Sequence, residues 1–224
     1  MELSGLTWTE VADRAPVSLL AVPVGSTEQH GPHLPLSTDT RIAAELCRRL
    51  AAARPDVLVA PAVAYGSSGE HAGFAGTVSV GASALESLLV ELGRSADHFA
   101  AVVFVSAHGG NARPVRRAAA VLESESRRVR AWMLPTPGPG SDAHAGHTET
   151  SVVLALEPDA VRPGAAAGCT TPLPELMPVL ARAGVAAVSP NGVLGDPAGA
   201  SPEAGRRILE VWESALLADL DGWP

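Results

Sequence analysis

The sequence predicts one α/β domain over residues 1–224, built as a three-layer α/β/α sandwich around a mostly parallel sheet. Two observations predict this fold class. Short apolar runs rich in β-branched residues alternate with longer segments of helical periodicity, which is typical of parallel strands joined by helices. A chain of 224 residues, of which 46% are hydrophobic, can bury one sizeable core but is short for two full domains.

The first half of the chain contains two predicted strands, each followed by a predicted helix. The apolar run at 17–24 ends at Gly25 and predicts a buried strand. Residues 38–53 carry apolar side chains at four-residue spacing, which predicts an amphipathic helix. A second buried strand is expected at 57–63, and a second helix at 82–99.

The second half continues the alternation and then becomes harder to interpret. Residues 158–202 are rich in proline, glycine and alanine and predict no clear element. Before this region we predict a strand over 101–106, a helix from near Asn111, a strand over 129–134 and a helix over 148–156. After it we predict a helix over 202–220.

Composition argues against several classes of protein. The formal net charge of −8 provides no basic field that would attract nucleic acid or an anionic membrane. All 16 basic residues are arginines, which excludes a Walker A phosphate loop and a lysine Schiff base. No apolar stretch approaches the length of a membrane span, and no signal peptide is evident. We therefore expect a cytoplasmic protein without nucleic-acid or membrane partners.

Histidines and carboxylates are concentrated in three segments. The first contains Glu28 and His30, just after the first predicted strand. These two side chains point the same way in an extended chain, because they are two residues apart. Asp39 lies at the start of the following helix and can return to the same place. Ligands bind at this edge of open α/β sheets, beyond the carboxyl ends of the strands.

The other two segments add further ligand types. His108 directly follows the third predicted strand, and His144 and Glu149 lie in the third segment. Nitrogen and oxygen ligands of this kind suit Zn²⁺, Mn²⁺ or Fe²⁺. A carboxylate can bridge two such ions, which then activate a shared water as hydroxide. The sequence therefore predicts a metal site built around Glu28, His30, Asp39 and His108.

One alternative comes from a different class of protein. The segment His108-Gly109-Gly110-Asn111 at a helix start could bind phosphate or a nucleotide in a non-catalytic protein. That interpretation predicts no bound metal, and it leaves the carboxylates and histidine of the first segment unexplained.

The first segment, GSTEQHGPHLPLSTD from Gly25 to Asp39, resembles the signature of the creatininase (creatinine amidohydrolase) family. Three later segments follow in the family's order: EHAGFAGT at 70–77, HGGN at 108–111 and HAGHTETS at 144–151. The resemblance runs from Trp8 to Leu156, and the C-terminal third fits it loosely.

This resemblance implies a metal-dependent amide hydrolase with two divalent ions per subunit: zinc, iron(II) or manganese. It implies that Glu28 and His30 each hold one ion and that Asp39 bridges both. His108 would complete the first site, and His144 would act as the proton shuttle. It also implies a homo-oligomer, a ring of identical subunits.

Two departures from creatininase itself bear on ligands and substrate. Gly110 occupies the place of a family glutamate that binds metal, so we expect Glu149 to substitute as a ligand and to take part in catalysis. The loop 137–146 contains no aromatic residue, so creatinine is not the expected substrate. The chain most resembles a peptidase branch of the family, which releases a modified C-terminal dipeptide, a decarboxylated and cross-linked Val-Tyr, from a precursor peptide. The alternative is another amidohydrolase of the family, such as a formamide deformylase.

The expected substrate is thus a modified peptide or a small amide. A pocket lined by glycine has room for a bulky peptide end. The residues expected to contact substrate are His71, Gly109, Gly110, Asn111 and His147.

Overall fold

The computed structural model describes residues 1–135 and 142–223, and it places four parallel strands in the order β2-β1-β3-β4. These strands are β1 (Leu19–Val24), β2 (Val57–Val59), β3 (Ala101–Ser106) and β4 (Val129–Met133). The helices of these ranges are α1 (Trp8–Arg14), α2 (Thr38–Ala53), α3 (Ala82–Ser95), α4 (Ala112–Ser124), α5 (His147–Leu156), α6 (Leu173–Ala183) and α7 (Pro202–Asp219).

The sheet has a hydrophobic core on each face, because successive side chains of a strand point to opposite sides. On one face Val103 of β3 packs in a cluster with residues of α2, α5 and α7. On the other face its neighbour Phe104 packs with Leu89 of α3 and Leu122 of α4. This arrangement confirms the three-layer α/β/α prediction.

The strand order creates a crevice at one edge of the sheet. The chain leaves β1 for β2 through α2, and it then crosses to the other side of β1 through α3 to form β3. The carboxyl ends of β1 and β3 therefore lie side by side at the point where the winding direction reverses. Open α/β folds bind ligands in such crevices.

The predicted and observed elements agree best where the pattern is local. The bounds of α2 and β3 match the prediction, whereas β2 ends at Val59 instead of continuing to residue 63. Pro61 lacks the N–H that a ladder needs, and pairing resumes only as an isolated bridge between Val24 and Val63. Helix α3 ends four residues early, at Ser95.

Two helices were not predicted. One is α1, and the other is α6, which includes Pro178 and lies in the stretch rich in proline and glycine. Residues 137–141 of the loop without aromatic residues lie outside the described residues. Within the described ranges, no helix combines the length and the apolar character needed to cross a membrane.

Candidate metal centre

The segment after β1 turns over the carboxyl edge of the sheet and buries two predicted ligands. Glu28 and His30 are both 0% exposed. The Nδ1 atom of His30 lies 3.1 Å from the main-chain oxygen of Glu28, which can only accept a hydrogen bond. In the neutral ring, Nδ1 therefore carries the proton and Nε2 keeps a lone pair for a ligand.

The carboxylate of Asp39 lies between two histidines. This residue is the second of α2 and is 1% exposed. Its Oδ1 lies 3.5 Å from Nε2 of His30, and its Oδ2 lies 3.5 Å from Nδ1 of His108. The hydroxyl of Ser26 donates a hydrogen bond to Oδ2. A carboxylate that turns one oxygen to each of two histidines could bridge two ions held beside those rings.

Two groups of potential ligands meet at this carboxylate. In the first, ligand atoms of Glu28, Asp39 and His108 all lie within 4.8 Å of one another. In the second, atoms of His30, His144 and Glu149 do the same. The structure thus brings the five predicted metal ligands and the predicted proton shuttle into one buried centre.

The structure contains a third group of potential metal ligands that the sequence did not predict. It contains Glu28, His71 and His144, again within 4.8 Å. Nε2 of His71 lies 3.3 Å from Oε1 of Glu28, and the His71 and His144 ring centroids are 4.5 Å apart. Burial lowers the pKa of His71 to about 4. This residue was expected only to contact substrate, and it lies directly against a predicted metal ligand.

Several buried atoms of the centre lack ordinary partners. Both carboxylate oxygens of Glu28 and Nε2 of His30 have no hydrogen-bond partner in the part of the chain that the structure describes. An unpartnered buried carboxylate is costly, and binding a cation is one of the ways in which proteins offset that cost. The donor set of carboxylate oxygens and imidazole nitrogens therefore fits a divalent metal ion.

Electrostatics favours positive charge at the same place. Burial lowers the pKa of His30 and His108, but the neighbouring carboxylates outweigh it and raise each pKa to about 10. Burial raises the pKa of Glu28, yet the three histidines around it hold that pKa well below its usual value. Burial raises the pKa of Glu149 to about 7. The centre thus stabilises a cation, either a proton or a metal ion.

Glu149 reaches the centre from the first turn of α5. Its Oε2 accepts a hydrogen bond from the main-chain N–H of Ala145 at 2.6 Å and lies 3.9 Å from Nε2 of His30. This geometry places its carboxylate within the second group, next to His30 and His144.

Gly110 makes room for a carboxylate, that of Glu70, which was not among the predicted site residues. Oε1 of Glu70 lies 3.5 Å from Nε2 of His108, and the Glu70 side chain is 32% exposed. A Cβ at position 110 would lie 2.4 Å from that oxygen and 2.4 Å from the main-chain oxygen of Ser67. The sequence signal for Glu70 was its place beside His71 in the second family segment.

The three other residues that were predicted to contact substrate have different surroundings. Asn111 is buried, and its amide donates to the oxygen of Gly25 and accepts from the N–H of Ser67, so it ties two loops together. Gly109 faces open space. His147 is the first residue of α5 and lies outside the three groups of described ligands.

Substituting Gly110→Ala is expected to weaken zinc binding. The added Cβ would lie 2.5 Å from Nε2 of His108 and would displace Ser67 and Glu70, which orient that ring. Loss of such an outer partner typically costs about 10–100-fold in metal affinity. Calorimetric titration with Zn²⁺ measures the change. Gly109→Ala is the matched control, since nothing lies within 4 Å of its added Cβ. Equal affinity in both variants would contradict this account.

Comparison with known proteins agrees with this geometry. A protein of Mycolicibacterium smegmatis named mycofactocin precursor peptide peptidase is 54% identical over 214 residues, covering 92% of this chain and 86% of that one. A solved mutant creatininase of the Zn-Zn type has a TM-score of 0.85 at 25% identity, covering 100% of this chain and 98% of its own. A solved structure described as creatininase Mn has a TM-score of 0.80 at 25% identity, with the same coverage.

The family model described as creatinine amidohydrolase matches residues 4–220. The resemblance seen in the motifs, including the one to the peptidase branch, is thereby confirmed. Since this match includes the C-terminal third that fitted the motifs only loosely, the whole catalytic fold is shared. The chain therefore belongs to the creatininase family of hydrolases, which act on C–N bonds.

Proposed function

We propose that this protein is a peptidase of mycofactocin biosynthesis that releases the modified C-terminal Val-Tyr dipeptide from the precursor peptide. The observation that carries the reaction type is the Asp39 carboxylate, which lies 3.5 Å from a histidine on each side. The name and 54% identity of the relative support the choice of substrate.

The donor groups support two divalent ions per chain. Glu28, Asp39 and His108 would hold one, and His30, Asp39 and Glu149 the other. Zinc, manganese and iron(II) suit this donor set, and the related structures are described with Zn and Mn. Ions bound there would lower the pKa of a water molecule and polarise the scissile carbonyl.

His144 is proposed to move the proton that the leaving amine needs. Its Nε2 lies 2.8 Å from the main-chain oxygen of Gln29, so Nδ1 is the nitrogen that faces the centre. Nδ1 lies 3.9 Å from Oε1 of Glu28 and 4.0 Å from Oε2 of Glu149. Burial lowers the pKa of His144 well below its usual value, so the ring is neutral and can accept a proton at Nδ1. Donating that proton avoids an amide anion as leaving group.

Two residues near the centre, Gly109 and Glu70, support the choice of a modified peptide end as substrate. Nothing lies within 4 Å of a Cβ built at Gly109, so this side of the centre would leave room for a bulky cross-linked side chain. The partly exposed Glu70 carboxylate would repel a free C-terminal carboxylate but would accommodate a decarboxylated peptide end.

Incubation of the zinc- or manganese-loaded protein with the modified precursor peptide is expected to release the dipeptide, detected by mass spectrometry. Asp39→Asn should abolish release, because it removes the negative charge that would hold both ions. Asp13→Asn, an exposed residue, is the matched control and should keep full activity. Failure of the metal-loaded protein to cleave the peptide, together with hydrolysis of a formamide, would replace this proposal with a deformylase.

Glu149→Gln is expected to lose one of two bound ions, because the amide is a weaker ligand beside His30. Elemental analysis after gentle, chelator-free purification measures the ratio of metal to chain. Glu123→Gln, an exposed change on α4, should keep both ions. An unchanged metal count in Glu149→Gln would remove Glu149 from the ligand set.

His144→Ala is expected to keep both ions and to bind peptide nearly as before, yet to lose turnover by about 10²–10⁴-fold, the usual worth of general acid–base catalysis. Single-turnover rates on the metal-loaded variant provide the test. Turnover near that of the wild type would exclude His144 as the proton carrier and leave His147 as the next candidate.

A further inference from the structure

Gln29 lies in sequence between two predicted metal ligands, Glu28 and His30. The side chain is 5% exposed. Its amide nitrogen lies 2.8 Å from Nδ1 of His71, 3.0 Å from Nε2 of His144 and 3.0 Å from the main-chain oxygen of Gly192. Gln29 thus contacts both histidines that surround Glu28 on the side away from His108.

Two backbone groups fix the orientation of this amide. The N–H of Gly31 donates to Oε1 of Gln29 at 2.8 Å, and a main-chain N–H can only donate. The oxygen of Gly192 faces the amide nitrogen, and a carbonyl can only accept. A flipped amide would oppose both partners, so the nitrogen must face the histidines.

The main chain of Gln29 determines the tautomer of His144. Nε2 of that ring lies 2.8 Å from the Gln29 carbonyl oxygen, so Nε2 carries a hydrogen and donates it. Nε2 therefore cannot also accept from the amide nitrogen. In the neutral ring, the lone pair of His144 is on Nδ1, which faces the carboxylates of Glu28 and Glu149.

The side chain of Gln29 determines the tautomer of His71. One hydrogen of the side-chain amide is donated to the main-chain oxygen of Gly192. The other has Nδ1 of His71 as its available acceptor. That nitrogen therefore holds a lone pair, and the His71 proton is on Nε2. Nε2 lies 3.3 Å from Oε1 of Glu28, so the N–H of His71 lies on the side of a proposed ligand carboxylate.

We propose that Gln29 is a positioning residue that sets both tautomers: it directs the lone pair of His144 into the centre and the N–H of His71 toward Glu28. The catalytic consequence rests on the proposed function, whereas the tautomers themselves do not. The proposal makes His71 an outer partner of the metal ligand Glu28.

The C-terminal third contributes to this arrangement. Gly192 has φ +80°, and a Cβ there would lie 1.9 Å from Oε1 of Gln29. Two residues later, the N–H of Leu194 donates to the main-chain oxygen of His144 at 2.8 Å. The same short segment therefore packs on Gln29 and holds the backbone of His144.

Isotope-edited NMR of the imidazole nitrogens in the zinc-loaded protein tests the proposal, because zinc is diamagnetic. The variants His71→Asn and His144→Asn assign the signals. The wild type is expected to show Nε2–H for both rings. Gln29→Glu places a carboxylate oxygen against Nδ1 of His71, so that ring is expected to change to Nδ1–H. Gln29→Met should give a mixture of His71 tautomers.

Thr77→Val is the matched control. The Thr77 hydroxyl accepts a hydrogen bond from the backbone N–H of Gln29, and it does not contact the side-chain amide. Both rings should remain Nε2–H in this variant. A wild-type ring with the proton on Nδ1, an unchanged His71 in Gln29→Glu, or the same change in Thr77→Val would each overturn the proposal. These readouts need no substrate, so they separate it from a failure of the proposed peptidase activity.

Discussion

The arrangement of this centre depends on the carboxylate of Asp39, which lies between His30 and His108. Its two oxygens each lie 3.5 Å from a different histidine nitrogen. A negative charge buried this deeply is unfavourable unless positive charge compensates it. The surrounding residues supply further carboxylates instead of a lysine or arginine partner for Asp39, so the compensation must come from protonated histidines or metal ions. The other contacts of the centre follow from that requirement.

The parallel sheet brings these charged residues together, because its strands end at a common edge. Because β1 and β3 are neighbours, the segments that follow them begin at one edge, and α2 starts there as well. The hydrophobic clusters on both faces hold the strand ends in place. Loop geometry then depends on small residues and buried amides, as at Gly110 and Asn111, where a larger side chain would displace main-chain oxygens or a ligand.

Histidines in this centre differ in role although they are chemically identical. Nδ1 of His30 and Nε2 of His108 each face a main-chain oxygen, so the opposite nitrogen of each faces Asp39. His71 and His144 are oriented in the same manner through Gln29. A fixed tautomer determines which ring nitrogen of each histidine can accept a proton or bind a cation and which can only donate a hydrogen bond.

The sequence by itself determined the elements with local periodicity, such as α2 and β3, and the pairing of Glu28 with His30, which are two residues apart. Placement of Asp39 at a helix start and of His108 after a strand was also sufficient to predict one metal centre, because parallel strands end at a common edge. Only the tertiary structure decided the contacts of Gln29 with His71 and His144, which lie 42 and 115 residues away. Such contacts depend on loop paths and on the hydrogen-bond partners available after folding, and no periodic pattern encodes either of these.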